Sequence, residues 1–210
     1  MTKTVTMEAL AQLLAGRPRV PRTIVAVAGA PGSGKSTVAE ALVGALNGVS
    51  DGHAALVAMD GYHYDDALLA RMGRLERKGA PDTFDLGGLR STLVRLRSNE
   101  EDGVCVPVFD RAIEIARAGA CMIGRSAGVV VVEGNYLLLQ EMPWAQLAGL
   151  FDVTVMVDTP EAELRRRLTA RWQDHGLAPD AVRRKVELND LPNGAVVRDR
   201  SAQADYRLQT

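Results

Sequence analysis

Residues 29–36 read Gly-Ala-Pro-Gly-Ser-Gly-Lys-Ser and follow the apolar run Thr23-Ile-Val-Ala-Val-Ala28. No other segment restricts the fold of this chain so tightly. A strand, a glycine-rich turn and a helix opening on Lys-Ser form a cradle for a phosphate anion. Backbone N–H groups at Gly32, Gly34 and Lys35 can close around that anion. Glycine at 29, 32 and 34 permits angles that a Cβ forbids. The helix expected from about Lys35 to Asn47 aims its positive end at the same point. Lys35 adds a mobile charge for the β- and γ-phosphates of a nucleotide, and Ser36 a hydroxyl for Mg2+. A merely structural strand–helix turn would not need Gly34-Lys35-Ser36 in that order.

The rest of the chain reads as a doubly covered parallel sheet. Apolar segments at 23–28, 53–59, 128–132 and 153–157 alternate with helical patterns at 66–72, 86–97, 160–175 and 179–190. Pro192 is expected to end the helix at 179–190, and Asp205–Leu208 to form the last strand. Met7–Gly16 reads as a helix capped by Thr6, and Val104–Phe109 as a short extended piece. These 210 residues suit one α/β domain, with residues 1–21 a helix and connector, 22–210 the main domain, and a helical lid at about 160–178.

Composition narrows the partners. A formal net charge of −1 supplies no global field for nucleic acid. No apolar stretch suffices for a membrane span, and residues 1–16 lack the apolar centre of a signal peptide. Cys105 and Cys121 read as free thiols in a reducing compartment. A cytoplasmic protein without nucleic-acid or membrane partners is expected, and a homodimer stays open.

Ligands of open α/β sheets bind beyond the carboxyl ends of the strands, so the residues there carry the chemistry. Asp60 ends the second strand; facing a γ-phosphate it can accept the proton of an attacking hydroxyl, although Asp-Gly is also a common turn. Glu133 ends the next strand and suits metal or metal-bound water. Asp158 reads as an N-cap for the following helix. On that helix Arg167 and Arg171 stand four apart on one face, where they can neutralise a transferring phosphoryl group. Arg165 and Arg166 are expected to include a solvated partner of Glu161. Tyr62, His63, Asp82, Phe84 and Asp110 are candidate contacts for a small polyhydroxyl or heterocyclic substrate. Trp144, Trp172 and Leu137–Leu139 are assigned to packing, and His53 and His175 to the surface.

Several motifs then fall in one order: Gly29–Ser36, Met59-Asp-Gly-Tyr-His63, Pro81-Asp-Thr-Phe-Asp85, Pro107-Val-Phe-Asp110, Val132-Glu-Gly-Asn135, the arginine helix, and Asn189-Asp-Leu-Pro-Asn193. Together they resemble the P-loop kinases of the uridine kinase, phosphoribulokinase and bacterial pantothenate kinase group, and most nearly its fructose-transport-system kinase branch. The resemblance spans roughly residues 22–208. It implies a P-loop NTPase fold with a five-stranded parallel sheet, the Glu133 strand beside the phosphate-loop strand. It implies ATP and Mg2+ as cofactors and a small-molecule hydroxyl as substrate. In this pattern the loop Gly29, Ala30, Pro31, Gly32, Ser33, Gly34, Lys35 and Ser36 binds ATP, with Thr37 at the α-phosphate. Asp60 is the base and Lys35, Arg167 and Arg171 assist it; Ser36 and Glu133 hold the metal or its water. Asn189, Asn193 and Arg200 are candidate adenine contacts. The chain departs from uridine kinases where Phe109 replaces a tyrosine and Glu114 a histidine, which leaves sugars and vitamin-like alcohols open as acceptors. A regulatory ATP-binding protein and a nucleoside monophosphate kinase are the rival readings.

Overall fold

The computed structural model describes residues 2–18 and 20–210. Its six-stranded sheet is parallel throughout, in the order β1-β8-β7-β2-β6-β3. The strands are β1 (Lys3–Thr4), β2 (Thr23–Gly29), β3 (Ala54–Ala58), β6 (Val129–Gly134), β7 (Val153–Asp158) and β8 (Tyr206–Gln209). Five of them are the expected sheet, and β1 is a two-residue addition at its edge. β2 lies between β6 and β7, so the phosphate loop leaves the middle of the sheet.

Both faces are covered, which is why the central strands are apolar without alternation. Ile24, Ala26, Val130 and Val132 face one core, completed by Leu89, Leu93 and Leu96 of α4 (Leu86–Ser98). Val25, Val27, Val129 and Val131 face the other. There they meet Leu10 and Leu14 of α1 (Met7–Ala15) and Leu42 and Leu46 of α2 (Lys35–Val49). Thr6 caps α1 by accepting from the Ala9 amide at 3.2 Å. After β3 come a 3-10 turn at Met59–Tyr62 and the short helix α3 (Asp66–Arg71).

Four features depart from the sequence reading. The extended piece at 104–109 is one arm of an antiparallel hairpin, β4 (Gly103–Asp110) with β5 (Ile115–Gly124). Helix α6 (Pro179–Lys185) does not stop before Pro192. It passes through a π-turn at Val186–Asp190 into α7 (Leu191–Arg200). Pro192 falls in the first turn of α7, where the wider turn before it re-registers the hydrogen bonds and the missing N–H is tolerated. Asp158 caps nothing: Pro160 occupies the cap of α5 (Glu161–Asp174), and Asp158 pairs with Arg207 at 3.3 Å. His53, assigned to the surface, is buried, and its carbonyl accepts from the Gly128 and Val129 amides.

Arg22 ties these parts together. It is 4% exposed and donates to the carbonyls of Ala127, Leu96 and Gly124 at 2.7, 2.9 and 2.8 Å. One guanidinium thus joins the start of β2, the end of α4 and the base of the hairpin. Arg22→Leu strands three carbonyls without a charged donor, so it should lower unfolding stability by roughly 3 kcal/mol or more. Urea unfolding checks this, and an unchanged midpoint would contradict it.

Candidate active site

The loop between β2 and α2 has the shape of an anion cradle. Gly32 and Gly34 take φ of +79° and +85°, backbone that disfavours any other residue. A Cβ on Gly29 would lie 2.5 Å from the Ser33 hydroxyl, inside the turn. The loop amides stand at the positive end of α2, a helix of 15 residues.

Glu133, at the end of β6, is 4% exposed, and its Oε2 is buried without a hydrogen-bond partner among the described residues. Burial raises its pKa, against the pull of Lys35 and a hydrogen bond to Ser36. A buried, unsatisfied carboxylate oxygen beside a helix-start hydroxyl is a site short of a cation. No group of three or more His, Cys, Asp or Glu residues suits a metal among the described residues. A hydroxyl and one carboxylate therefore fit an ion that takes its other oxygens from phosphate and water, as Mg2+ does.

Asp60 stands just past β3, its side chain 21% exposed. Burial works against its charge, but His63, Lys35, Arg111 and Arg171 outweigh burial and hold its pKa below the ordinary aspartate value. Arg111 donates to Oδ2 at 2.9 Å. The carbonyl of Asp60 accepts from His63 Nδ1 at 2.8 Å, which leaves Nε2 as an acceptor. Burial lowers the His63 pKa despite the facing Asp60, so the ring is neutral at pH 7. Its ring is held between Phe84 and Phe109, with centroids 4.1 and 4.9 Å away. Gly61 permits this fit, because a Cβ there would meet the Pro107 carbonyl at 2.6 Å.

Asp60 and His63 open into a cavity of about 110 Å³ that Phe84, Arg171 and Asn193 also line. The π-turn and α7 bring Asn189 and Asn193 to its lining. Asn193 donates to Asn189 at 3.3 Å, and Asn189 to the Lys78 carbonyl at 3.2 Å.

The remaining predicted residues are distributed unevenly. Arg167 bonds Glu163 at 2.7 Å and reaches the Gly32 and Ser33 carbonyls at 3.5 and 3.4 Å, so it lies over the loop. Arg165 pairs with Glu161 and Glu187, and Arg166 with Glu163, as solvated partners. Ala30 packs against the α5–α6 cluster, and Pro31 lines the Asp60 cavity. Tyr62 is buried in the core, where burial raises its pKa, and it does not line the cavity. Asp82 pairs with Arg74 at 3.1 Å, and Asp110 with Arg117 at 3.4 Å; neither lines the cavity. Arg200 is not brought to the phosphate loop: it pairs with Glu141 at 3.2 Å and lines a different cavity with Trp144.

Sequence reasoning passed over Arg111, Glu114 and Lys185 as site residues, and gave Trp172 to packing; all four line the cavity. Arg111 directly follows the Pro107–Asp110 motif, which was the available signal, but its meeting with Asp60 depends on the hairpin.

A family model described as AAA domain matches residues 25–187. A Schizosaccharomyces pombe protein named uridine kinase is 32% identical over 197 residues, covering 90% of this chain and 83% of its own. A Sorangium cellulosum pantothenate kinase is 34% identical over 161 residues, 75% of this chain and 52% of its own. In the crystal structure of a Silicibacter sp. TM1040 protein named fructose transport system kinase, the identity is 42% and the TM-score 0.89, covering 97% of this chain and 98% of that one.

Proposed function

Because this chain belongs to the AAA-domain family, among the P-loop kinases related to uridine and pantothenate kinases, we propose that it moves the γ-phosphoryl group of ATP onto a hydroxyl of a small molecule. The observation that carries this reading is the pairing of an anion cradle with an ionised aspartate that lines a neighbouring cavity.

Phosphoryl transfer asks mainly for positioning and charge neutralisation. The loop amides and Lys35 hold the β- and γ-phosphates, Ser36 and Glu133 hold Mg2+ or its water, and Thr37 meets the α-phosphate. Mg2+ held there would supply positive charge that screens the phosphates. Asp60 accepts a hydrogen bond from the acceptor hydroxyl and takes its proton as the new bond forms. A carboxylate with a lowered pKa is a weak base toward a free alcohol, so its first task is orientation. The helix α5, acting as part of a lid, brings Arg167 to the loop and Arg171 to the cavity. Closing over the site keeps water off the γ-phosphate.

Coupled measurement of ADP release across sugars, short polyols, hydroxy acids, nucleosides and pantothenate-like alcohols tests the proposal. It predicts release that depends on one acceptor class, and a steady ATP hydrolysis indifferent to all of them would refute it.

Glu133 offers a check that does not need the acceptor. Its folded pKa is raised, so its stabilising contribution is present below the unfolded value of 4.5 and is lost as pH rises through the folded value. At pH 8 the ionised group therefore costs the nucleotide-free protein stability. Glu133→Gln should raise the Tm at pH 8, by about 2–4 °C per kcal/mol recovered, and the gain should shrink toward pH 5. The same variant should lose most of the Tm increase that Mg2+ with an ATP analogue gives the native protein. A lower nucleotide-free Tm with a full ligand response would contradict the metal assignment.

A further inference from the structure

The cavity beside Asp60 has more positive charge than a neutral alcohol needs. Lys78, Arg111, Arg171 and Lys185 line it, facing Asp60, Glu114 and Asp190. Two of these cations have partners: Lys78 lies 2.6 Å from Asp66, and Arg111 2.9 Å from Asp60. Arg171 and Lys185 form no ion pair among the described residues. Both lie over the Trp172 ring, 5.5 and 5.6 Å from its centroid. Asp190 accepts from Trp172 Nε1 at 2.6 Å and forms no ion pair with either cation among the described residues. Half-buried cations that form no close ion pair can take up a ligand's negative charge.

Size adds a second constraint. About 110 Å³ is far less than the 300–1,000 Å³ that holds a drug-sized ligand. A molecule of three to five carbons is on the scale of this volume.

We infer that the acceptor is a compact anionic alcohol, a hydroxy acid or a short polyol phosphate, whose anion sits on Arg171 and Lys185 while its hydroxyl meets Asp60. This deepens the kinase reading and rests on it. Trp172 fixes both cations by offering its ring face. The amides of Asn189 and Asn193 line the same wall and give the acceptor hydrogen-bonding partners. Phosphoryl transfer balances simply: the hydroxyl O–H bond breaks, its proton passes to Asp60, an O–P bond forms, and ADP leaves.

Matched pairs test the inference: D-glycerate and glycerol 3-phosphate, each against glycerol. Each is titrated into protein saturated with Mg2+ and a non-hydrolysable ATP analogue, so the γ-phosphate site is filled. Thermal shift and calorimetry are read against KCl of equal ionic strength. An anionic member should bind at least tenfold more tightly than its neutral counterpart, and glycerate against glycerol 3-phosphate separates carboxylate from phosphate. Lys185→Gln should raise the KM of the preferred anion by about tenfold or more with a smaller change in kcat, and Lys185→Arg should restore it. The inference is overturned if neutral members bind or react as well as the anions, if no anion binds beyond the salt control, or if Lys185→Gln leaves that KM unchanged. Failure of the kinase reading looks different: anions bind and depend on Lys185, but only inorganic phosphate appears.

Discussion

Asp60→Asn should leave nucleotide affinity within a few-fold of the native protein and lower turnover by about 10²- to 10⁴-fold, the usual scale for losing a general base. Asparagine keeps the shape and can still donate or accept a hydrogen bond, but it cannot take the acceptor's proton. It also leaves Arg111 and Arg171 facing each other without the carboxylate that offsets them. Some loss will therefore appear in acceptor KM. The pH dependence has a definite sign. Asp60 has a lowered pKa in the folded protein, so its ionised form persists to pH below the ordinary aspartate range, and activity falls only when pH drops through the lowered value. The acid limb of kcat/KM should lie below that of a free aspartate. Steady-state kinetics with calorimetry of ATP binding decide the matter: undiminished turnover in Asp60→Asn would remove this residue from the mechanism.

Lys35→Ala should have the second large effect, and a different signature. This side chain balances both Asp60 and Glu133 and starts the helix behind the anion cradle. Removing it takes a positive charge from the ground-state phosphates and from the charge that develops during transfer. Nucleotide affinity and kcat should fall together, kcat by on the order of 10²- to 10³-fold. Unchanged affinity and rate would show that the loop does not hold a triphosphate. The contrast between the two variants is informative in itself, because Asp60 acts on the acceptor and Lys35 on the donor.

The sheet was legible because its determinants are local. Val129–Val132 and Thr23–Ala28 are unbroken apolar runs, which only strands covered on both faces require. The acidic residues that follow those runs mark the carboxyl edge, so Asp60 and Glu133 stood out before any coordinates did. The hairpin did not stand out. Ile115–Gly124 is largely exposed and lacks period-two alternation, so the residues carry no strand signature, and pairing with β4 decides its form. Asp158 looked like a cap because its partner, Arg207, is remote in sequence. Pro192 looked like a stop because a π-turn cannot be read from residue types. The acceptor cavity was hidden for the same reason. Its cations come from the 78–79 turn, the hairpin tip, α5 and α6, and only the folded chain brings Lys78, Arg111, Arg171 and Lys185 together. Tyr62 shows the opposite case, where proximity to a motif in sequence did not carry its side chain into the acceptor cavity.

Phosphorus NMR of the reaction mixture bears most directly on all of this. With ATP, Mg2+ and an accepted anionic alcohol, the γ-phosphate resonance should diminish as a new phosphomonoester resonance grows in equal amount, and neither change should occur without the alcohol. Growth of inorganic phosphate alone, at a rate the alcohol does not alter, would contradict the account.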